Sequence, residues 1–153
     1  MNMVEVQTDE LLGAALDWAI ATIEGLPIQY DPMAFGNTAN GGYWIWDKAP
    51  GGMMAKIGDK YSPSSNWSQL GPLIEKRVIV LGNHESGDPS RQGEFWGSAH
   101  CFDSGTSFET YKGIKVAACR AIVAKEMGPV VRVPKVLVQP SWTAFSAPDQ
   151  PFR

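Results

Sequence analysis

The chain has 153 residues, of which 44% are hydrophobic and 19% charged, and its formal net charge is −3 at pH 7. A single globular domain is the simplest organisation for this length, and it can bury a core without disulfides or metal. The negative charge excludes a global electrostatic attraction to nucleic acid or to an anionic membrane, but it leaves a local basic patch open.

Targeting and membrane signals are missing from the sequence. No apolar stretch approaches the roughly 20 residues that span a bilayer, and the N-terminus lacks the basic and apolar regions of a signal peptide. Two cysteines, Cys101 and Cys119, are too few for a disulfide framework. We therefore expect a cytoplasmic protein with reduced thiols.

The first elements are a short strand and a helix. Residues 3–6 alternate apolar and polar side chains, as in a strand. Thr8 or Asp9 is placed to cap a helix, and Gly25 followed by Pro27 ends it. The apolar stripe of this helix is formed by Leu12, Ala15, Leu16, Ala19 and Ile23.

The next stretch is rich in turn residues. Residues 28–42 contain prolines and the run NTANGG, which predict a loop or a hairpin tip. YWIW at 43–46 and MMAKI at 53–57 flank DKAPGG and predict a β-hairpin. Further on, LIEKRVIVL at 73–81 predicts a strand. The polar connection 82–110 is expected to hold one short strand near Phe95 and Trp96.

The last third of the chain contains a second helical pattern and two strand-like runs. Residues 112–128 predict a second helix, and 130–133 and 135–139 predict strands. The expected fold is α+β, with two helices packed on a twisted, mostly antiparallel sheet and long irregular loops. A single domain covers 1–138, and 139–153 form an irregular tail rich in aromatic residues and proline.

The segment YSPSSNWSQLGPLIEKR at 61–77 is the strongest candidate for a functional site. Its hydroxyls and amides can tie a turn through local hydrogen bonds, which is the structural interpretation. In the functional interpretation, aromatic rings stack a planar ligand, polar groups bind it and an arginine meets its phosphate. That ligand-binding set is Trp18, Tyr61, Ser62, Ser64, Asn66, Trp67, Gln69, Arg77, Trp96 and Arg120.

Other chemistries have weaker support. His84, His100, Cys101 and Asp103 match no standard zinc spacing, so we expect no metal and no cofactor. Neither histidine has an obvious serine or cysteine partner for nucleophilic catalysis. The glycine-rich runs lack a phosphate-loop motif, and the lysines and arginines do not form a strip typical of nucleic-acid binding.

Three segments in order, LLGAALDWAIATIEG, YSPSSNWSQLGPLIEK and AACRAIVAKEMGPVVRVP, resemble the NinX-like family of phage proteins. That family shows L-x-G-x-A-L-D-W-A-V, Y-S-P-S-x-x-W-x-x-x-G-P-I-I-E and A-A-M-R-x-x-V-A-S-K-x-G-x-x-V-x-V-P. The chain departs from the pattern at 82–108 and after residue 139. The resemblance implies a phage origin and a small α+β domain, whose setting is the cytoplasm of the infected bacterium.

These observations favour a non-enzymatic phage protein that binds and sequesters a nucleotide-type ligand. Such a ligand is a bacterial immune signal, for example a cyclic nucleotide or an ADP-ribose derivative. A module that binds a host or phage protein is the alternative, and a small nuclease or phosphodiesterase is a further one. Because Trp142, Phe145 and Phe152 lie in the tail, we also expect a homo-oligomer, most simply a dimer.

Overall fold

The computed structural model describes residues 2–33, 42–46 and 54–138. Three helices and eight strands in this part of the chain give an α+β fold, which confirms the predicted class. The helices are α1 (Gly13–Ile23), α2 (Trp67–Arg77) and α3 (Ile114–Met127). The strands are β1 (Met3–Gln7), β2 (Ile28–Asp31), β3 (Gly42–Ile45), β4 (Ala55–Lys56), β5 (Ile79–Glu85), β6 (Phe95–Cys101), β7 (Ser107–Thr110) and β8 (Val130–Pro134).

The strands form three small antiparallel sheets, where the sequence predicted one. β1 pairs with β8, β2–β3–β4 form a second sheet and β5–β6–β7 a third. Along the chain, a helix lies between the strands of one sheet and the strands of the next. Each sheet therefore buries a face against helices and does not extend a neighbouring sheet. The predicted number of helices, two, was also too low, because α2 was not predicted.

Helix α1 begins later than its predicted caps. Thr8 lies in a separate 3₁₀ turn, is fully buried, and donates from Oγ1 to the carbonyl of Gly128 at 2.7 Å. It therefore joins the start of the chain to the end of α3 instead of capping α1. The predicted end is correct, since Gly25 adopts a positive φ of 70° directly after the helix.

Helix α3 is the centre of the fold and confirms the second predicted helix. It is buried along its whole middle, from Val116 to Val123. Strand β6 approaches its first turn very closely at Gly97, where a Cβ would lie 2.5 Å from the amide nitrogen of Ile114. Only glycine fits this contact without moving backbone, so the third sheet lies directly on α3.

Helix α2 corrects the predicted strand at 73–81. Asn66 caps the helix by accepting from the amide of Ser68 at 2.9 Å, and Leu70 and Leu73 bury one face. Val78 then adopts a left-handed conformation (φ 51°), and β5 starts after it. The sequence did not reveal this boundary, because the apolar run VIVL and the last turn of the helix together have the pattern of a single strand.

The region after α2 holds more structure than the sequence indicated. Residues 82–110 contain most of the β5–β6–β7 meander instead of one short strand. Strand β8 was predicted, but the strand at 135–139 is wrong, because Lys135–Leu137 form a 3₁₀ turn after Pro134 fixes the chain direction. The aromatic tail 139–153, and with it the expected dimer contact, lies outside the described residues.

Two clusters of buried side chains stabilise the molecule. The main core joins α1, α2 and α3 to the inner face of β5–β6 and to β8. A smaller cluster packs Tyr43, Ile45 and Ile57 of the second sheet against Ala21 of α1. Trp18 contacts both clusters and links them.

Candidate ligand-binding cavity

The hydrogen-bonding groups of the predicted site are largely used to fasten it to α1. Asp17, 1% exposed, accepts from the amide of Ser64 at 2.9 Å. Burial raises the pKa of this carboxyl to about 6, and hydrogen bonds from the Ser64 backbone and side chain oppose the rise. The segment after Tyr61 is thus held by an acceptor 47 positions earlier in the chain.

The remaining polar groups of the segment bond to their own turn. Gln69 accepts from the amide of Ser62 at 2.6 Å and donates to the carbonyl of Lys60 at 2.7 Å. The Ser62 hydroxyl donates to the carbonyl of Asp59 at 3.2 Å. These contacts agree with the structural interpretation of the segment, while its role in ligand binding stays a prediction.

The four predicted rings are spread over the molecule. Tyr61 is half-buried, and burial followed by the Asp17 charge raises the pKa of its hydroxyl. Trp67 is 46% exposed with the Lys115 ammonium 5.0 Å from its ring centroid. Trp18 lies between the two cores, and Trp96 lies on β6 in the third sheet. The structure therefore does not assemble them into one pocket wall.

The two predicted arginines make internal contacts. Arg77 donates to Glu24 at 2.5 Å and to Glu126 at 3.2 Å, which ties α2 to α1 and α3. Burial works to raise the pKa of Glu24, but hydrogen bonds from Lys76 and Arg77 hold it below its ordinary value. Arg120 is 1% exposed and donates from Nε to the carbonyl of Leu11 at 2.9 Å. Both guanidinium groups serve as links between elements.

The residues considered for a metal site point in different directions. His84 and His100 lie on the open face of the third sheet, whereas Cys101 is buried on the face toward α3. Asp103 is paired with Lys125 at 2.5 Å. Among the residues that the structure describes, no group of three or more His, Cys, Asp or Glu is placed to hold a metal.

His84 makes two contacts that the sequence did not predict. Its Nε2 lies 3.1 Å from the Ser98 hydroxyl, and its ring stacks on Trp96 with centroids 4.1 Å apart. Register explains both contacts, because His84 is opposite Trp96 and Gly82 is opposite Ser98 in the β5–β6 pair. Since Gly82 has no side chain, the imidazole folds back over it toward Ser98.

A cavity lies elsewhere, between the second sheet and the end of the β1–β8 pair. Its volume is about 470 Å³. That volume falls inside the range of roughly 300–1,000 Å³ for small-molecule sites. Its described lining consists of Asn2, Tyr30, Tyr43, Lys135 and Val136.

Strand register builds the aromatic wall of this cavity. Tyr30 of β2 is directly opposite Tyr43 of β3, so both rings project from the same face of the sheet. Their centroids are 4.8 Å apart with the planes tilted by 44°. Tyr43 is buried, and burial followed by the neighbouring Tyr30 raises the pKa of its hydroxyl. Tyr30 is 47% exposed and offers ring surface to the cavity.

The other described lining residues come from the two ends of the described chain. The amide of Lys135 donates to the carbonyl of Asn2 at 2.9 Å, which fixes the two residues side by side. The 3₁₀ turn after β8 then places Lys135 and Val136 along the cavity. Sequence reasoning missed these residues because they are distant in the chain, and the only local signal was the alternation of IQY and YWI in β2 and β3.

A family model described as bacteriophage P22, NinX matches residues 7–126. The chain belongs to this phage NinX family. The match runs from the last residue of β1 to the final turn of α3 and includes 82–108, where the sequence had seemed to depart from the family pattern. Comparison with curated proteins and with solved structures finds no significant match.

Membership of the NinX family makes the chain a phage protein. Of the described cavity-lining residues, Tyr30 and Tyr43 fall inside the matched range, while Asn2, Lys135 and Val136 flank it. In the part of the chain that the structure describes, no helix combines the length and the apolar character needed to cross a bilayer.

Proposed function

We propose that this phage protein binds a small nucleotide-type ligand in the cavity beside Tyr30 and sequesters it without chemical change. The observation that carries the proposal is the cavity itself, whose described lining includes two tyrosine rings in contact and a lysine. Its physiological setting is the cytoplasm of the infected bacterium. There it withdraws an immune signal such as a cyclic nucleotide or an ADP-ribose derivative.

Tyr30 provides the stacking surface for the base. The residue is 47% exposed, and its ring contacts the ring of Tyr43 at a centroid distance of 4.8 Å. A base that stacks on an aromatic side chain gains roughly 1–3 kcal/mol. Because Tyr43 is held in the smaller core, the stacking ring is backed by a fixed neighbour.

Lys135 provides the charge for a phosphate. Among the described lining residues it is the one charged side chain, and none carries a carboxylate that would repel an anion. An ammonium group on a flexible stem is a point charge that suits phosphate recognition. A planar aromatic group and an anionic group on one small molecule would therefore both find complementary side chains in the lining of the cavity.

Sequestration, as opposed to turnover, is supported by the side chains of the lining. The described wall consists of two phenols, one amide, one ammonium and one aliphatic side chain. General acid–base catalysis uses groups with pKa values near the working pH. Burial raises the pKa of Tyr43, which takes that hydroxyl further from neutrality.

The test is retention and recovery of a nucleotide panel. Purified protein is incubated with linear, cyclic and ADP-ribose nucleotides, separated from free compound and heated, and the released compound is chromatographed. Intact nucleotide is the expected result. A chemically altered nucleotide would show an enzyme and contradict sequestration, and no retention would contradict ligand binding.

Two pairs of variants locate the site. Tyr30→Ala is expected to weaken binding roughly 5- to 150-fold, the equivalent of 1–3 kcal/mol. Trp67→Ala removes another exposed ring, and it is expected to leave binding unchanged. Lys135→Glu is expected to weaken binding of phosphate-bearing ligands, while Lys60→Glu is the control on an exposed lysine outside the lining. If Trp67→Ala alone abolishes retention, the predicted segment 61–77 is the site and the cavity is not.

A protein-interaction role is the second candidate, and one surface favours it. Val78, Val80 and Phe102 are 56%, 42% and 73% exposed, and the amide of Phe102 donates to the carbonyl of Val78 at 3.1 Å. This apolar patch lies where β5 begins and β6 ends. Exposed apolar surface of this kind marks interaction sites. Phe102→Ser, with nucleotide retention measured in parallel, separates the two roles, because it is expected to leave retention intact.

A further inference from the structure

A smaller recess, of about 110 Å³, lies between β1 and the start of α1. Its described lining is apolar except for one carboxylate, and it consists of Val6, Glu10, Leu11, Leu12, Ala15 and Val138. Val138 is the last residue that the structure describes, so the tail 139–153 begins at the lining of this recess. We propose that the recess binds the indole ring of Trp142 from the same chain.

Two of the lining residues belong to the main core and fix the shape of the recess. Leu11 and Ala15 are 1% and 4% exposed. Leu12 and Val138 pack against the same core but are only partly buried. The recess therefore keeps apolar surface in contact with water, and covering it with another apolar group is favourable.

The size and the chemistry of the recess fit an indole ring. An engineered apolar cavity of about 150 Å³ accommodates a benzene molecule, so this recess can hold most of an aromatic ring. An indole also carries one N–H donor beside its large apolar body. Glu10 supplies a carboxylate that can accept this hydrogen bond, whereas the rings of Phe145 and Phe152 have no donor.

The position of Trp142 in the chain favours the recess of its own protomer. Trp142 follows Val138 by four residues, which reach no farther than about 14 Å when extended. So short a tether keeps the ring at a high effective concentration beside the recess, whereas a second copy would have to bind from solution. A short loop also costs less entropy to close than the longer one that Phe152 would need.

Docking of the ring would also anchor the turn that lines the larger cavity. Leu137 packs against both cores, and Lys135 and Val136 line the cavity directly before it. A ring bound beside Val138 therefore holds this turn from its C-terminal side. The contact itself requires no nucleotide, so it can be tested independently of the proposed function.

The test is fluorine NMR of the full-length protein with a fluorinated tryptophan analogue at its 6 tryptophan positions. The Trp142 signal is identified as the one that disappears in Trp142→Phe. It is expected to be displaced from the position of a solvent-exposed tryptophan. It should also shift little between light and heavy water, because the recess shields the ring from solvent.

Leu12→Asp is expected to return the Trp142 signal to the solvent-exposed position, since it replaces an apolar lining residue with a charge. Leu12 is the N-cap residue of α1, where aspartate is favoured, so the helix should be retained. The remaining tryptophan signals report directly whether the fold is intact. Val78→Asp, on an exposed valine outside the described lining, is the matched control and should leave the Trp142 signal in place.

Glu10→Gln is a second variant, which changes the charge at the recess and hardly changes the shape of the side chain. It is expected to shift the Trp142 signal alone, because the indole N–H loses a charged acceptor. Glu10 is exposed, so this substitution should leave the fold intact even if Leu12→Asp disturbs it.

The outcomes decide both the ring and its place. A Trp142 signal at the solvent-exposed position in the wild type overturns docking of this ring, and a shielded signal that neither variant moves overturns the recess as its site. Light scattering then shows whose ring is bound. A monomer with a shielded Trp142 supports docking within one chain. A dimer that dissociates in Trp142→Ala shows that the ring binds a second copy, and it overturns the proposal.

Discussion

The second and third sheets both bury one face against helices, but they do so to different degrees. The third sheet lies so close to α3 that a single Cβ at Gly97 would collide with the backbone of Ile114. The second sheet packs Tyr43 and Ile45 against α1 and yet leaves about 470 Å³ open beside Tyr30. We infer that the third sheet maintains the fold, whereas the second sheet leaves the space in which the proposed ligand would bind.

Gly97→Ala should have the largest effect on stability. The added methyl would lie 2.5–2.8 Å from atoms of Gly113 and Ile114, so α3 would have to move away from β6. Overpacking against backbone is expected to lower the free energy of unfolding by roughly 3 kcal/mol or more, measured by chemical denaturation. Gly71→Ala is the control, because its Cβ meets nothing within 4 Å and alanine favours the helix. Equal effects of the two substitutions would show that the third sheet is not tightly closed.

Asp17→Asn should stabilise the junction between the two regions at neutral pH. The pKa of Asp17 is raised from 3.8 to about 6 by burial, so the unfolded chain loses this proton at a lower pH than the folded chain. The stabilisation that the raised pKa of Asp17 gives to the folded state is fully present below pH 3.8. It is lost as the pH rises through about 6, where the buried carboxyl loses its proton. At about 1.4 kcal/mol per pKa unit, the loss reaches up to about 3 kcal/mol.

The measurement is denaturation of wild type and Asp17→Asn at several pH values between 4 and 7.5. Their difference is expected to grow in favour of the variant over this interval, because asparagine can still accept from the Ser64 amide without a buried charge. A constant difference across the interval would contradict the raised pKa. Other titrating groups, such as Glu24, cancel in the comparison.

Asn66→Ala should have an intermediate effect. Loss of the cap leaves the Ser68 amide, now bonded to Asn66 at 2.9 Å, without its acceptor at the start of α2. Such caps contribute roughly 1 kcal/mol to the free energy of unfolding. Asn66→Asp preserves the acceptor and is expected to keep wild-type stability. If both variants lose the same amount, the asparagine acts through something other than its cap.

Tyr30→Ala should have the smallest effect on folding and the clearest effect on binding. Because the residue is half-exposed and loses its cross-strand contact with Tyr43, its removal is expected to lower the free energy of unfolding by roughly 0.2–1 kcal/mol. Nucleotide retention should nevertheless fall, as argued above. A loss of stability comparable to that of Gly97→Ala would mean that the second sheet is closed by Tyr30, and the contrast between the sheets would disappear.

The elements that sequence predicted are those with strong local signals. Periodicity and the flanking Gly25 and Gly128 indicated α1 and α3. Alternation indicated β1, and the runs on either side of DKAPGG indicated the β3–β4 hairpin. Helix α2 was missed because the Gly71–Pro72 step suggested a break. Its helicity depends on the Asn66 cap and on tertiary burial of Leu70, which local propensity does not contain.

The candidate site was harder to predict than the fold. The polar residues at 61–77 attracted attention for their chemistry, but the acceptor for the Ser64 amide is Asp17 on α1, and no sequence pattern states that pairing. The cavity requires Asn2 and Lys135 to meet through a bond between the two ends of the described chain. Long-range register of this kind is decided by the complete tertiary structure.

The pairing of β1 with β8 also sets an order of events during synthesis. Val4 is opposite Val133, and Thr8 bonds to Gly128, so the first strand has no sheet partner until nearly all of the described chain has been translated. The β5–β6–β7 meander and α3 depend on nearer contacts and can fold earlier. Proteolysis of ribosome-bound nascent chains halted before β8 should find the meander protected and β1 still cleavable. Because Asn2 and Lys135 are brought together by this pairing, a nascent chain acquires the described lining of the cavity only after β8 has been made.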